Sequence, residues 1–99
     1  MGAPATQEGV RLTPQLTPQL TLITRAYCHL CDTMREALVP LAREHGATIV
    51  EFDVDAHPAL EAAYGDLVPV LLQGDVDTGA ELCHYHLDRE RVMAALQAR

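Results

Sequence analysis

Lysine and tryptophan are both missing from the 99 residues. The seven basic residues are all arginines, against fourteen Asp and Glu, for a net charge of −7 with neutral histidines. One Phe and three Tyr are the whole aromatic complement. A chain with no basic stretch and few rings offers neither a phosphate track nor a base-stacking platform, which excludes nucleic acid as a partner. No apolar run approaches the roughly 20 residues that span a bilayer, so no membrane role is expected. The first twenty residues lack the basic n-region and continuous apolar h-region of a secretory signal, which points to the cytoplasm, where thiols stay reduced. Cysteine is scarce as well, at three residues. An odd number with Cys28 and Cys31 close together speaks against a structural disulfide framework and for redox or metal chemistry at that pair.

What is present suits one small globular domain, expected to act as a monomer: 48% of the residues are apolar, ordinary for a packed core. Residues 1–19 read as a flexible, proline-rich tail. The tandem Leu12-Thr13-Pro14-Gln15 and Leu16-Thr17-Pro18-Gln19 places prolines too densely for a helix or a central strand. Residues 20–99 read as the domain. Leu20–Thr24 is a short apolar run typical of a strand covered on both faces. Leu30, Met34, Ala37, Leu38 and Leu41 recur at helical spacing, Pro40 should kink that helix, and Gly46 should end it. Residues 48–54 alternate, with Val50, Phe52 and Val54 inward and Ile49, Glu51 and Asp53 outward. Pro58 opens a second helix with Leu60, Ala63 and Tyr64 as its stripe, closed by Gly65. Val68–Leu72 reads as a third strand and Gly74–Gly79 as a hairpin loop. Residues 80–87 make a fourth strand, with Cys83, Tyr85 and Leu87 on one face and Leu82, His84 and His86 on the other. Asp88 caps a last helix carrying Val92, Ala95 and Leu96, with Leu87 and Val92 spaced as a hydrophobic staple. The order β-α-β-α-β-β-α requires a parallel first pair of strands, an antiparallel last pair, and helices on both faces of a mixed sheet.

The chemistry concentrates in Cys28-His29-Leu30-Cys31. Cys28 falls where the first strand passes into the first helix. There the free N–H groups and positive end of the helix favour a thiolate. Cys31, one turn along the same face, is within disulfide reach. A low-pKa accessible nucleophile beside a resolving thiol is what thiol–disulfide exchange needs. Arg25 and His29 can lend positive charge to the sulfur or to an anionic substrate, and Tyr27 is placed to cover one side of it. A metal site would have to join Cys28 and Cys31 to Cys83 and one of His84 or His86, and Cys83 stands much farther along the chain than the second pair of a structural zinc site does. Two cysteines merely packed in a core are the other bland reading. Val68-Pro69, at the start of the third strand, suits a cis peptide bond that turns the Val68 backbone outward to pair with an extended thiol-bearing ligand.

The element order, the run Thr24-Arg25-Ala26-Tyr27-Cys28-His29-Leu30-Cys31 and the pair Val68-Pro69 together resemble the thioredoxin superfamily. Within it the chain is most similar to small bacterial glutaredoxin-like proteins, over residues 20–97. That resemblance implies an α/β, thioredoxin-like three-layer α/β/α fold with a four-stranded mixed sheet. It implies attack on a disulfide by Cys28, resolution by Cys31, and substrate docking at Arg25, Tyr27, His29, Val68 and Pro69. It also implies a disulfide-containing protein or small thiol as substrate, no required cofactor and no metal, and glutathione as an electron donor. The departures are specific. Leu22 stands where thioredoxins keep a buried aspartate, and Tyr27 stands at the position of their flanking tryptophan. Cys28-His29-Leu30-Cys31 replaces the glutaredoxin Cys-Pro-Tyr-Cys, and Leu67-Val68-Pro69 replaces Thr-Val-Pro. No Gly-Gly follows the fourth strand, only Cys83-His84-Tyr85-His86, so the cradle for the glutathione γ-glutamyl carboxylate is missing or rebuilt. The functional reading is a small cytosolic thiol–disulfide oxidoreductase. Its competitor is a thioredoxin-fold binding module that holds a metal or protein partner without catalysis.

Outside that motif the residues read quietly. Cys83 is a small residue on the buried face of its strand, His84 and His86 share the other, and Glu51, Asp53 and Asp55 form a solvated acidic face. His45 and His57 flank helix ends.

Overall fold

The computed structural model describes residues 18–97, so almost all of the expected tail, residues 1–17, lies outside the described residues, as do residues 98–99. Four strands form the sheet: β1 (Gln19–Thr24), β2 (Thr48–Asp53), β3 (Val70–Gln73) and β4 (Ala80–His84). Among the described residues three α-helices accompany them: α1 (His29–Glu44), α2 (Pro58–Tyr64) and α3 (Arg89–Gln97). The sheet order is β2-β1-β3-β4. β1 runs parallel to β2 and antiparallel to β3, and β3 runs antiparallel to β4. This is the mixed α/β sheet the pattern of elements requires. No helix among the described residues is long and apolar enough to cross a membrane.

β1 is central because its residues tolerate burial on both faces: Leu20, Leu22 and Ile23 are all at most 1% exposed. Its two threonines are buried too. Thr21 donates its hydroxyl to the Gly74 carbonyl at 2.6 Å, and Thr24 donates to Glu51 at 2.8 Å, so neither polar group is stranded. On one side of the sheet, Leu20, Leu22, Leu71, Leu82 and Cys83 pack with Met34, Leu38 and Leu41 of α1 and with Val92 and Leu96 of α3. On the other, Ile23, Val54, Val70 and Leu72 form a smaller cluster beneath Leu60 and Tyr64 of α2. The layers are therefore helices, sheet, helix.

Several local expectations change. The buried stripe of α1 is Cys31, Met34, Leu38, Leu41 and Ala42, whereas Leu30 and Ala37 are exposed. The helical face is turned because Cys31 serves as a core residue and its neighbour Leu30 does not. Pro40 lies inside α1, as the pattern places it, with its ring on the solvent side. Its end is a Schellman closure: Gly46 takes φ 67° and donates to the Arg43 carbonyl at 3.3 Å, while the Ala47 N–H reaches the Ala42 carbonyl at 2.8 Å.

β2 is an edge strand, so its alternation buries less than expected. Ile49, expected outward, packs on the larger cluster, while Val50 and Phe52 are only half-buried. Val54 lies past the strand, in a 3-10 turn (Val54–Ala56), and is fully buried. α2 contributes Leu60 and Tyr64 to packing but leaves Ala63 exposed. β3 begins after Pro69 rather than at Val68.

β4 ends at His84, short of residue 87, and carries a bulge: Leu71 pairs with Cys83 and Leu72 with Glu81, leaving Leu82 extra. The bulge puts Leu82 and Cys83 into the same cluster, so Leu82 is not on the face opposite Cys83. Asp88 caps α3 as expected, accepting from the Arg91 N–H at 3.1 Å, with Leu87 packed on the cluster that holds Val92.

Candidate functional site

Cys28 is the residue at which β1 hands over to α1. Its backbone is extended (φ −110°, ψ 106°), and it occupies the N-cap of the helix. Where a serine or aspartate would place oxygen, Cys28 places sulfur: its Sγ accepts the Cys31 backbone N–H at 3.1 Å. Its carbonyl takes the Asp32 N–H, also at 3.1 Å. Cys28 and Cys31 are joined as a disulfide, with Cα atoms 5.2 Å apart. The two sulfurs are not equivalent. Cys28 is half-buried at the mouth of the helix, whereas Cys31 has no exposed surface and lies on the stripe that packs against the sheet. Attack from outside is open to one of them only.

The strand directions decide what else lies at this end of the molecule. β1, β2 and β4 all run toward it, and β3 starts from it. Continued past its last pair, Ile23 with Val70, the β1–β3 register brings Pro69 alongside Thr24 and Val68 alongside Arg25. The Val68–Pro69 peptide is cis. Pro69 is buried and Val68 half-buried. Val68 makes no backbone hydrogen bond among the described residues.

Arg25 is not left free to face the sulfur. Its guanidinium pairs with Glu61 of α2 and with Asp55 at 3.4 Å, and donates to the Gly65 carbonyl at 3.2 Å. Those hydrogen bonds and charges, Glu61 first, raise its already high pKa. Arg25 therefore ties the end of β1 to α2, and its charge is balanced by two carboxylates. Gly65 suits this closure, because a Cβ there would come within 2.5 Å of Glu61 Oε2.

Tyr27 adopts φ 58° and is fully exposed, so it protrudes beside Cys28 instead of covering the sulfur. His29, the first residue of α1, is exposed. The carboxylates read as a solvated face all have structural partners. Glu51 takes Arg35 at 2.6 and 3.0 Å as well as Thr24. The Arg35 hydrogen bonds, with that from Thr24, hold its pKa below the usual carboxylate value despite partial burial. Asp53 caps the 3-10 turn by accepting the Asp55 N–H at 2.8 Å. No group of three or more His, Cys, Asp or Glu is placed to hold a metal ion among the described residues. Cys83 is buried, and desolvation pushes its thiol pKa up.

Tyr85 is the residue that reasoning from sequence missed. It sits just past β4, at φ 64°, with its N–H on the Pro69 carbonyl at 2.9 Å and its hydroxyl on the Asp66 carbonyl at 2.7 Å. A tyrosine at positive φ carries no sequence signal, since glycine or asparagine is what that conformation favours.

Comparison with known proteins agrees with this geometry. Residues 19–97 match the family model of the glutaredoxin-like domain (DUF836). An uncharacterized protein of Mycobacterium tuberculosis is 35% identical over 82 residues, 78% of this chain and 80% of that one. The solution structure of a Nitrosomonas europaea protein aligns with a TM-score of 0.68 and 30% identity, covering 90% of this chain and 96% of the other. Oxidized mitochondrial thioredoxin 3 of Saccharomyces cerevisiae aligns with a TM-score of 0.63, over 84% of this chain and 79% of that one, at 15% identity, a likeness of fold.

Proposed function

The chain belongs to the glutaredoxin-like (DUF836) family, and from that premise we propose that it is a thiol–disulfide oxidoreductase cycling between the Cys28–Cys31 dithiol and disulfide. The observation that carries this reading is the asymmetry of the pair: Cys28 accessible at a helix N-cap, Cys31 sealed one turn behind it. In the reduced state the Cys31 N–H and the first-turn amides stabilise a Cys28 thiolate. That thiolate attacks one sulfur of a substrate disulfide, whose S–S bond breaks and whose other sulfur leaves as a thiolate. Cys31 then attacks the Cys28 sulfur of the mixed disulfide. This step forms the Cys28–Cys31 bond and expels the second substrate thiolate, while the Cys31 proton passes to a departing sulfur. Two electrons and the Cys31 proton pass from the protein to the substrate, and the other substrate thiolate takes its proton from solvent.

The substrate is a disulfide-bearing protein or small thiol compound, docked beside Cys28 by Tyr27, His29 and the Val68–Pro69 backbone. Arg25 serves as the buttress of that surface. The protein works as a cytoplasmic monomer, with electrons returned by a thiol such as glutathione. The test is substitution. Cys28→Ser should abolish reduction of a model disulfide, and Cys31→Ser should accumulate a mixed disulfide through Cys28, visible by mass. Wild-type turnover in both variants would contradict the assignment. Turnover sustained by reduced glutathione alone would support glutathione as donor, and turnover seen only with a dithiol reductase would refute it.

A further inference from the structure

Four features converge on Tyr85. Its backbone is left-handed, unusual for a bulky residue, and it forms the centre of a tight turn in which the His86 N–H meets the His84 carbonyl at 2.7 Å. That three-residue turn with positive φ is the rare, strained γ form. Its N–H holds the Pro69 carbonyl and its phenol holds the Asp66 carbonyl. The ring meets His84 edge to face, at 4.8 Å between centroids, and remains 40% exposed. Asp66 and Pro69 bracket Val68, whose own backbone groups find no partner among the described residues.

We propose that Tyr85 is a positioning residue for substrate docking. From the end of β4 it clamps the segment on both sides of Val68, so that the unpaired Val68 N–H and carbonyl are held ready for an extended, disulfide-bearing peptide. An ordinary strand ending would tie β4 to this loop through Pro69 alone. The turn at Tyr85 is what redirects its side chain back over Asp66. The chain tolerates a strained backbone at Tyr85, and the phenol bond to Asp66 is gained by it. This inference rests on the thiol–disulfide reading and adds to it the residue that presents the docking backbone.

The experiment uses pre-reduced full-length protein mixed by quenched flow with excess of a short linear peptide carrying one intramolecular disulfide. Half-saturating concentration and limiting rate are read separately. Tyr85→Phe removes only the phenol bond, and Tyr85→Gly removes the ring while keeping the backbone conformation. Tyr85→Phe should raise the half-saturating concentration about 3- to 10-fold, the worth of one hydrogen bond. Tyr85→Gly should raise it further. Both should leave the limiting rate within about twofold of wild type, with the pH midpoint of Cys28 alkylation unmoved. Half-saturation unchanged in Tyr85→Phe, or a shifted alkylation midpoint, would overturn the role of Tyr85 while leaving the redox reading intact. Wild-type protein that fails to reduce the peptide would overturn the redox reading and, with it, this inference.

Discussion

The orientation of α1 about its own axis decides which cysteine is sealed, so a pair of leucine substitutions tests it. Leu38 has no exposed surface and belongs to the larger cluster, with residues of the sheet and of α3. Leu30, two residues after Cys28 in the motif, is 37% exposed. Leu38→Ala removes a fully buried side chain and leaves a cavity, at about 2–5 kcal/mol. Leu30→Ala should stay within about 0.5 kcal/mol of wild type, since little apolar surface is lost and alanine favours the helix. For a domain of this size, total stability is on the order of 5–10 kcal/mol, so the first change consumes a large share of it. Urea unfolding of the oxidised protein, followed by far-ultraviolet circular dichroism, reads both. With a slope of about 1 kcal/mol per molar, Leu38→Ala should lower the midpoint by about 2 M or more, and Leu30→Ala should hardly move it. A loss above about 1.5 kcal/mol in Leu30→Ala would mean that α1 is rotated to bury Leu30 at the expense of Cys31, and a loss below about 1 in Leu38→Ala would contradict the burial of Leu38.

Three further outcomes follow from the same contacts. Gly46→Ala meets no steric obstacle within 4 Å, so its expected loss of about 1–2 kcal/mol in urea unfolding comes from positive φ alone. Because Arg35 and Thr24 hold the Glu51 pKa below its unfolded value, that contribution is complete above the unfolded pKa and is lost as pH falls through the folded one. Acid titration of stability should therefore steepen below about pH 4.5, and Glu51→Gln should flatten that limb. Cys83, buried with a raised pKa, should resist alkylation at neutral pH in the folded protein and react promptly in urea. Equal rates in the two conditions would contradict its burial.

The order of elements was legible because each rests on a local period or stop: the α1 stripe, the Gly46 ending, the Pro58 start, the Asp88 cap. The motif at the β1–α1 junction and the cis Val68–Pro69 peptide were legible for the same reason, since both depend on residues adjacent in sequence. What sequence could not display arises from distance. Arg25 looks like a free cation beside Cys28 until the fold brings Glu61 and Asp55 against it. The alternation of residues 80–87 breaks because the Leu82 bulge is a property of pairing with β3, not of β4 itself. Ile49 turns inward because its face of β2 packs on the cluster that holds Met34, Leu38 and Leu41 of α1. Helical spacing alone admits Leu30 to the stripe, yet the smaller Cys31 takes the core position. Tyr85 was invisible because its partners, Asp66 and Pro69, lie far from it in sequence.

Thiol–disulfide exchange at this site requires Cys28 to be a thiolate in the reduced protein. The direct measurement is the rate of Cys28 alkylation against pH, with modified residues identified by mass. The helix N-cap predicts a midpoint clearly below the ordinary thiol value of about 8.5, with Cys28 modified well ahead of Cys31. A midpoint at or above that value, or Cys31 modified first, would contradict it.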